Sequence, residues 1–202
     1  AASTVARSQA LRLNQQQTLF NQTDFVFTKP LFGFRNTLLF GAEFGSEDYD
    51  FLSKNSTGVT AVSIFNPVLT PTVGPGRADD FSGTLATDRL TKTQTYAGYV
   101  LDQLELTPQW KLLGGVRYDV FEAKQNDRLS DANDFSRTDR QWNPRGGLVW
   151  QPTQTQSYYF SYGTSFNPSA ETFSLSSATA DVDPERNRNF EIGAKIDLLD
   201  GR

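Results

Sequence analysis

The sequence predicts an all-β fold: an antiparallel, up-and-down sheet of about seven long strands, a segment of a transmembrane β-barrel. Three observations carry this expectation. Apolar and polar residues alternate with period two along most of the chain. Short and long connections alternate strictly, so one end of the sheet carries tight turns and the other long loops. Aromatic residues stand near the ends of the alternating stretches, as interfacial girdles do.

The elements follow in chain order. Ala1 to Gln17 is polar and has no clear pattern. Leu19 to Thr28 reads as a strand, with apolar residues on both parities. From Leu38 the even positions Leu38, Phe40, Ala42 and Phe44 are apolar, with Gly41, Glu43 and Gly45 between them. Thr93 to Leu106 reads as a second mixed strand, holding Tyr96, Tyr99, Val100, Leu101 and Leu104. Trp110, Leu112, Val116, Tyr118 and Val120 then oppose Lys111, Arg117 and Asp119. Trp142, Leu148 and Trp150 oppose Asn143, Arg145 and Gly147, and Tyr158, Phe160, Tyr162 and Phe166 oppose Ser161, Gly163 and Ser165. The last stretch alternates Phe190, Ile192, Ala194, Ile196 and Leu198 with Glu191, Gly193, Lys195 and Asp197, then reaches the turn signal Asp200-Gly201.

The short connections contain Lys29-Pro30, Pro108, Pro152 and the terminal Asp200-Gly201. The long ones run from about Ser53 to Lys92, Gln125 to Asp139 and Pro168 to Arg188, and are rich in Ser, Thr, Asp, Asn, Gly and Pro. The same alternation also fits a soluble β-sandwich binding module, in which the apolar face points into a core. Strand length, the end-placed aromatics and the glycines on the polar face (Gly41, Gly45, Gly115, Gly147, Gly163, Gly193) favour lipid on the apolar side.

Composition narrows the function classes. The 202 residues suffice for one domain and carry a net charge of −4. The absence of methionine fits a processed chain or an excised segment, and no signal-peptide pattern is present. No run of about 18 apolar residues exists, which excludes a transmembrane helix but not a transmembrane strand. The chain has no cysteine and no histidine, so thiolate nucleophiles, histidine bases and the usual zinc ligands are missing. No Lys/Arg cluster suggests nucleic acid. No phosphate loop, nucleophile elbow or metal triad suggests an enzyme. The pairs Asp79-Asp80, Asp131-Asp134 and Asp181-Asp183 lack EF-hand spacing and read as solvated loop charge. No catalytic, metal or cofactor residue is expected.

Four ordered segments resemble a known family. They are "NQTDF" with "NTLLFGAEFGSEDYDF", then "TYAGYVLDQLELTPQWKLLGGVRYDVF", then "WNPRGGLVWQPTQTQSYYFSYGTSFNPS", then "PERNRNFEIGAKIDLLDGR". Together they resemble the TonB-dependent ferric-siderophore receptors of the Gram-negative outer membrane, from about Asn21 onward. The "FNPV" at Asn66-Pro67 resembles the catecholate or hydroxamate branch. The resemblance implies a barrel of about 22 strands around an N-terminal plug. Residues 1–202 would then form a partial barrel domain, without the plug and the C-terminal strands. It implies transport of a ferric siderophore, energised by the TonB complex through that plug, in the outer-membrane lipid. The alternative within membrane barrels is a porin-like channel.

On this reading Glu43, Arg117, Asp119, Arg145, Glu191, Lys195 and Asp197 face the lumen, in contact with the plug or ligand path or simply solvated. Ferric siderophores are bulky and often anionic, so loop aromatics and arginines are the natural contacts. The candidates are Phe65, Arg77, Phe81, Arg89, Arg137 and Phe173, each of which could equally pack or solvate its loop.

Overall fold

The computed structural model describes residues 4–6, 8–56, 61–67, 83–168 and 182–198. Nine strands are present among them: β1 (Thr4–Val5), β2 (Ala10–Leu31), β3 (Phe34–Ser56), β4 (Val62–Ser63), β5 (Gly83–Glu105), β6 (Trp110–Asp127), β7 (Phe135–Thr153), β8 (Gln156–Asn167) and β9 (Glu185–Ile196). The seven long ones form a single antiparallel sheet in the order β2-β3-β5-β6-β7-β8-β9, and β1 pairs with β4 as a small separate ribbon. Every neighbour in the large sheet is also the neighbour in sequence among its members, so the sheet is an up-and-down meander. It is a partial barrel that does not close.

The connections alternate as expected. Phe32-Gly33 turns β2 into β3, with φ of 50° and 86°. Positive φ at both central residues suits the right-handed strand twist, and glycine supplies the second without strain. Residues 106–109 and 154–155 make the other short turns. At the opposite end, seven residues including a 3₁₀ turn at Asp131–Asn133 join β6 to β7.

The strands are longer than the alternation suggested. β2 begins at Ala10, β5 at Gly83 and β7 at Phe135, so much of what reads as polar loop is strand. Trp142 therefore stands seven residues inside its strand rather than at its end.

Burial is inverted relative to a soluble domain. The buried apolar residues among those described are only Ala97 and Ala123, at 8% and 2% exposure, while Asn36, Ser53, Thr91, Thr93, Asp119, Gln125, Asp127, Asp139 and Asn143 are buried. Large apolar side chains stand outward, with Phe190 at 67% and Ile192 at 85% exposure. Among the described residues the only other sheet is the two-stranded β1-β4 ribbon, too small to cover them. A soluble protein does not leave such a face to water, and this excludes the β-sandwich reading.

Two aromatic rows bound the apolar face. Trp110, Trp150 and Tyr158 stack at the short-turn end, with ring centres 5.8 and 5.4 Å apart. Toward the long-loop end lie Phe44–Tyr96, Tyr118–Trp142 and Tyr162–Phe190, at 5.4, 4.5 and 4.9 Å. Between Tyr96 and Tyr118 this second row drops by two residues of register, and between Trp142 and Tyr162 by four. Over the five steps from β3 to β9 the drop is about 20 Å along the strands against about 24 Å across them. A girdle level with the membrane thus tilts the strands by about 40°, within the range for membrane barrels. Eight residues separate Trp110 from Tyr118 and Trp142 from Trp150. At that tilt these pairs are about 20 Å apart in depth, close to the apolar band of such a barrel, while Tyr158 and Tyr162 on β8, four residues apart, are separated by about 10 Å.

Candidate functional site

The face opposite the aromatic girdles is the lumen wall. It carries a network assembled entirely by register. One cross-strand row reads Gln22, Glu43, Ala97, Asp119, Gln141, and the next Asp24, Gly41, Tyr99, Arg117, Asn143. Arg117 bridges them. Its guanidinium donates to both oxygens of Glu43, at 2.9 and 3.0 Å, and its Nε to Asp119 at 2.6 Å. The buried Asn143 amide donates to the other Asp119 oxygen at 2.9 Å. The Tyr99 ring lies 5.5 Å from the guanidinium carbon. Its hydroxyl donates to Asp24 and accepts from Gln22 at 2.9 Å. The paired fork explains why arginine suits this position, since lysine offers no planar bidentate donor.

The glycines on this face have a steric reason. A Cβ on Gly41 would lie 2.6 Å from the Tyr99 hydroxyl and 2.7 Å from the Thr23 carbonyl. A Cβ on Gly193 would collide with the Tyr159 ring, which lies over it and donates to Glu191 at 2.6 Å. Lumen tyrosines thus lie flat across glycines on the next strand.

Of the residues expected on this wall, Glu43, Arg117 and Asp119 come together, and Glu191 pairs with Tyr159. Arg145 faces the lumen one row beyond Arg117, exposed, between Gly115 and Gly163 and beside a hollow lined by Leu101 and Leu113. Lys195 stands exposed on β9, and Asp197 lies just past its end, where its backbone N–H donates to the Thr155 carbonyl at 2.8 Å.

The expected ligand contacts fare differently. Arg77, Phe81 and Phe173 lie outside the described residues. Phe65 is 86% exposed in the bend after β4. Arg89 and Arg137 are on strands β5 and β7, not in loops, and each already meets a carboxylate. Arg89 lies 3.3 Å from Asp127, and Arg137 lies 2.7 Å from Asp139. Strand pairing continues past the membrane there, where water on both sides removes the apolar alternation.

Above them is a polar clasp that sequence reasoning missed. Arg128 donates to both oxygens of Asp50, at 2.9 and 2.8 Å, and to Asp88 at 2.6 Å, tying the turn after β6 to β3 and β5. Hydrogen bonds and the charge of Arg128 hold the Asp50 carboxyl below its usual value. Asp134 accepts from the Asp127 backbone N–H at 2.7 Å. Burial acts to raise the Asp127 carboxyl, but bonds from the Leu129 backbone, Arg89 and Asn133 outweigh it and leave it lowered. No sequence spacing announces these contacts. They span 40 and 78 residues. Gln22 and Asp24 were legible in principle, since they share the even parity of β2 that opposes Glu43 and Gly41.

An apolar outer face between two aromatic girdles, a polar inner wall and long connections at one end define the wall of an outer-membrane type of β-barrel. The family model of the TonB dependent receptor-like β-barrel matches residues 2–202. The chain belongs to this family, one of receptors and transporters rather than enzymes. It is 36% identical to a probable TonB-dependent siderophore receptor, PiuA of Acinetobacter baumannii, over 50% of this chain and 15% of that protein. It is 31% identical to the metal-pseudopaline receptor CntO of Pseudomonas aeruginosa, over 83% of this chain and 23% of that protein. The crystal structure of the ferric-catecholate import receptor Fiu of E. coli K12 in its closed form superposes with a TM-score of 0.75 at 23% identity, covering 94% of this chain and 30% of that one. The chain thus spans less than a third of the length of each of these proteins.

Proposed function

We propose that this chain is part of the barrel of an outer-membrane receptor of a Gram-negative bacterium that imports ferric siderophores, energised by the TonB complex. The observation that carries this reading is the family match along residues 2–202, together with relatives named as siderophore receptors. The wall supports it. Its polar lumen network holds the strands in fixed register, and an assembled barrel would leave Arg145 and the adjoining hollow facing the interior. The chemistry is binding followed by gated passage, with no covalent step. Outer loops, among them the one bearing Phe65, would meet the chelate first, and a plug in the remainder of the protein would transmit the TonB force.

The test is radio-iron uptake by cells whose only siderophore receptor is the protein carrying this chain. Uptake of one class of ferric siderophore, lost when TonB is deleted, is the expected result. Entry of unrelated small solutes that continues without TonB would refute the receptor reading and indicate an open channel.

A further inference from the structure

The wall is interrupted between β7 and β8. Their pairing runs from Trp150–Tyr158 to Arg145–Gly163 and stops there, although β7 reaches back to Phe135 and β8 continues to Asn167. The cause is local. The Gln151 N–H donates to the Gln109 carbonyl, so odd residues of β7 turn their main-chain groups to β6 and even ones to β8. After Gly146–Tyr162 the next bonded pair would be Pro144–Thr164, and proline has no N–H to give. The Thr164 hydroxyl instead donates to the Pro144 carbonyl at 3.4 Å. Beyond this point β7 stays paired with β6 as far as Phe135, and β8 with β9 as far as Asn167.

A notch thus opens away from the membrane, with its foot at Arg145 and Gly163. Its β7 side presents the main-chain N–H and C=O groups of Trp142, Arg140, Thr138 and Ser136. Among the described residues no strand pairs with them on this side, and the Trp142 carbonyl accepts from the Gln141 side-chain amide at 3.0 Å. All four residues are exposed. Trp142 stands at the long-loop-side girdle, and Ser136 lies about 15 Å above it, so the edge meets water rather than lipid. Natural sheets blunt such edges with proline, charged side chains or bulges. Here proline guards only the foot, and Arg140 is the one charge on the outward parity above it.

We infer that this edge docks an extended strand of a partner protein, paired antiparallel with β7 from outside the cell. Its free donors and acceptors recur about every 7 Å along the strand, a spacing that an extended polypeptide matches residue by residue and a compact chelate does not. The side chains specify the partner further. Continued register would put Phe166 opposite Trp142, but the splay leaves Trp142 60% exposed, with the Tyr118 ring against its other side. An aromatic residue of the incoming strand fits beside Trp142, an acid beside Arg140 and a β-branched residue beside Thr138. The placement outside the cell rests on the outer-membrane reading above.

The test uses the whole receptor in nanodiscs and a capped seven-residue probe peptide, in which threonine alternates with tyrosine, glutamate and valine in that order. In the receptor alone, amide exchange should be at least about a hundredfold faster at Ser136, Thr138, Arg140 and Trp142 than at Arg137, Asp139 and Gln141, whose N–H groups face β6. The probe should slow the first set. Its affinity should fall roughly tenfold when the glutamate is N-methylated, and less when a threonine is. Thr138→Pro removes one N–H on the notch side and leaves the β6 ladder intact, as Pro144 does, so probe affinity should again fall roughly tenfold, while Thr138→Val should bind as wild type. Slow exchange at the four notch residues without probe would mean that the receptor covers its own edge, and would overturn the proposal. So would binding indifferent to N-methylation, or no saturable binding. The N-methylation comparison uses wild-type receptor and stands even if Thr138→Pro fails to insert. Iron uptake should be unchanged in Thr138→Pro, so failure of the docking edge leaves the transport reading standing.

Discussion

Three glycines allow the orientation of the wall to be measured with little steric interference. A Cβ added at Gly98, Gly114 or Gly163 meets nothing within 4 Å. Gly114 lies on the lipid-directed parity of β6, four residues from both Trp110 and Tyr118. That places it about 10 Å in depth from either girdle, near the middle of the apolar band. Gly98 lies on the same face of β5, opposite Tyr118 and two residues from Tyr96. Gly163 faces the lumen, opposite Arg145. An arginine at Gly114 should cost about 2–4 kcal/mol, and at Gly98 roughly 1 kcal/mol, because the penalty falls toward the interface. At Gly163 it should cost only a few tenths of a kcal/mol, from the like charge of Arg145 across the ladder. Guanidinium unfolding of the receptor in phospholipid vesicles, followed by tryptophan fluorescence, would measure all three. Trp110, Trp142 and Trp150 share the lipid-directed face and report directly on insertion. A cost for G114R within about 0.5 kcal/mol of that for G163R would refute the assignment of faces.

Two further outcomes follow from the ion pairs. Arg117→Met should destabilise the barrel by roughly 2–4 kcal/mol, because Glu43 and Asp119 lose their shared cation and its hydrogen bonds, whereas Arg117→Lys should recover part of the loss. Thermal unfolding in detergent would rank the two, and equal stability of R117M and wild type would contradict the network. The Asp50 and Asp127 carboxyls are held below their ordinary values in the fold. Their contribution is therefore fully present above about pH 4 and is lost as pH falls through the lowered values. Amide exchange at Arg128 to Asp134 should stay slow at neutral pH and quicken below about pH 4 while β6 at Val116 stays protected, and a transition at neutral pH would rule this out.

How much could be read in advance depended on where each residue stands relative to the membrane. Trp110 to Val120 alternates clearly because lipid lies on one side and the polar lumen on the other. Gln15, Gln16 and Gln17 have no such contrast, since their part of β2 stands in water on both faces, and the strand there was illegible. Arg89 and Arg137 looked like loop residues for the same reason. The lumen parity of Glu43, Arg117 and Asp119 was legible, but their union was not. Arg117 and Glu43 are 74 residues apart, and only the register of β3, β5 and β6 places them in reach. Tyr99 and Asn143 carry no motif and enter the site through that same register.

The length of β3 sets the height of the wall outside the membrane. Its outward girdle residue is Phe44, yet pairing continues to Ser56. Twelve residues at the inferred tilt lift the strand tip about 30 Å above the girdle. The wall therefore stands as a turret, rising well past the headgroup layer. On the receptor reading proposed above, a solute engaged at the rim descends a walled shaft longer than the membrane is thick. On that reading selection runs along the shaft as well as at the rim.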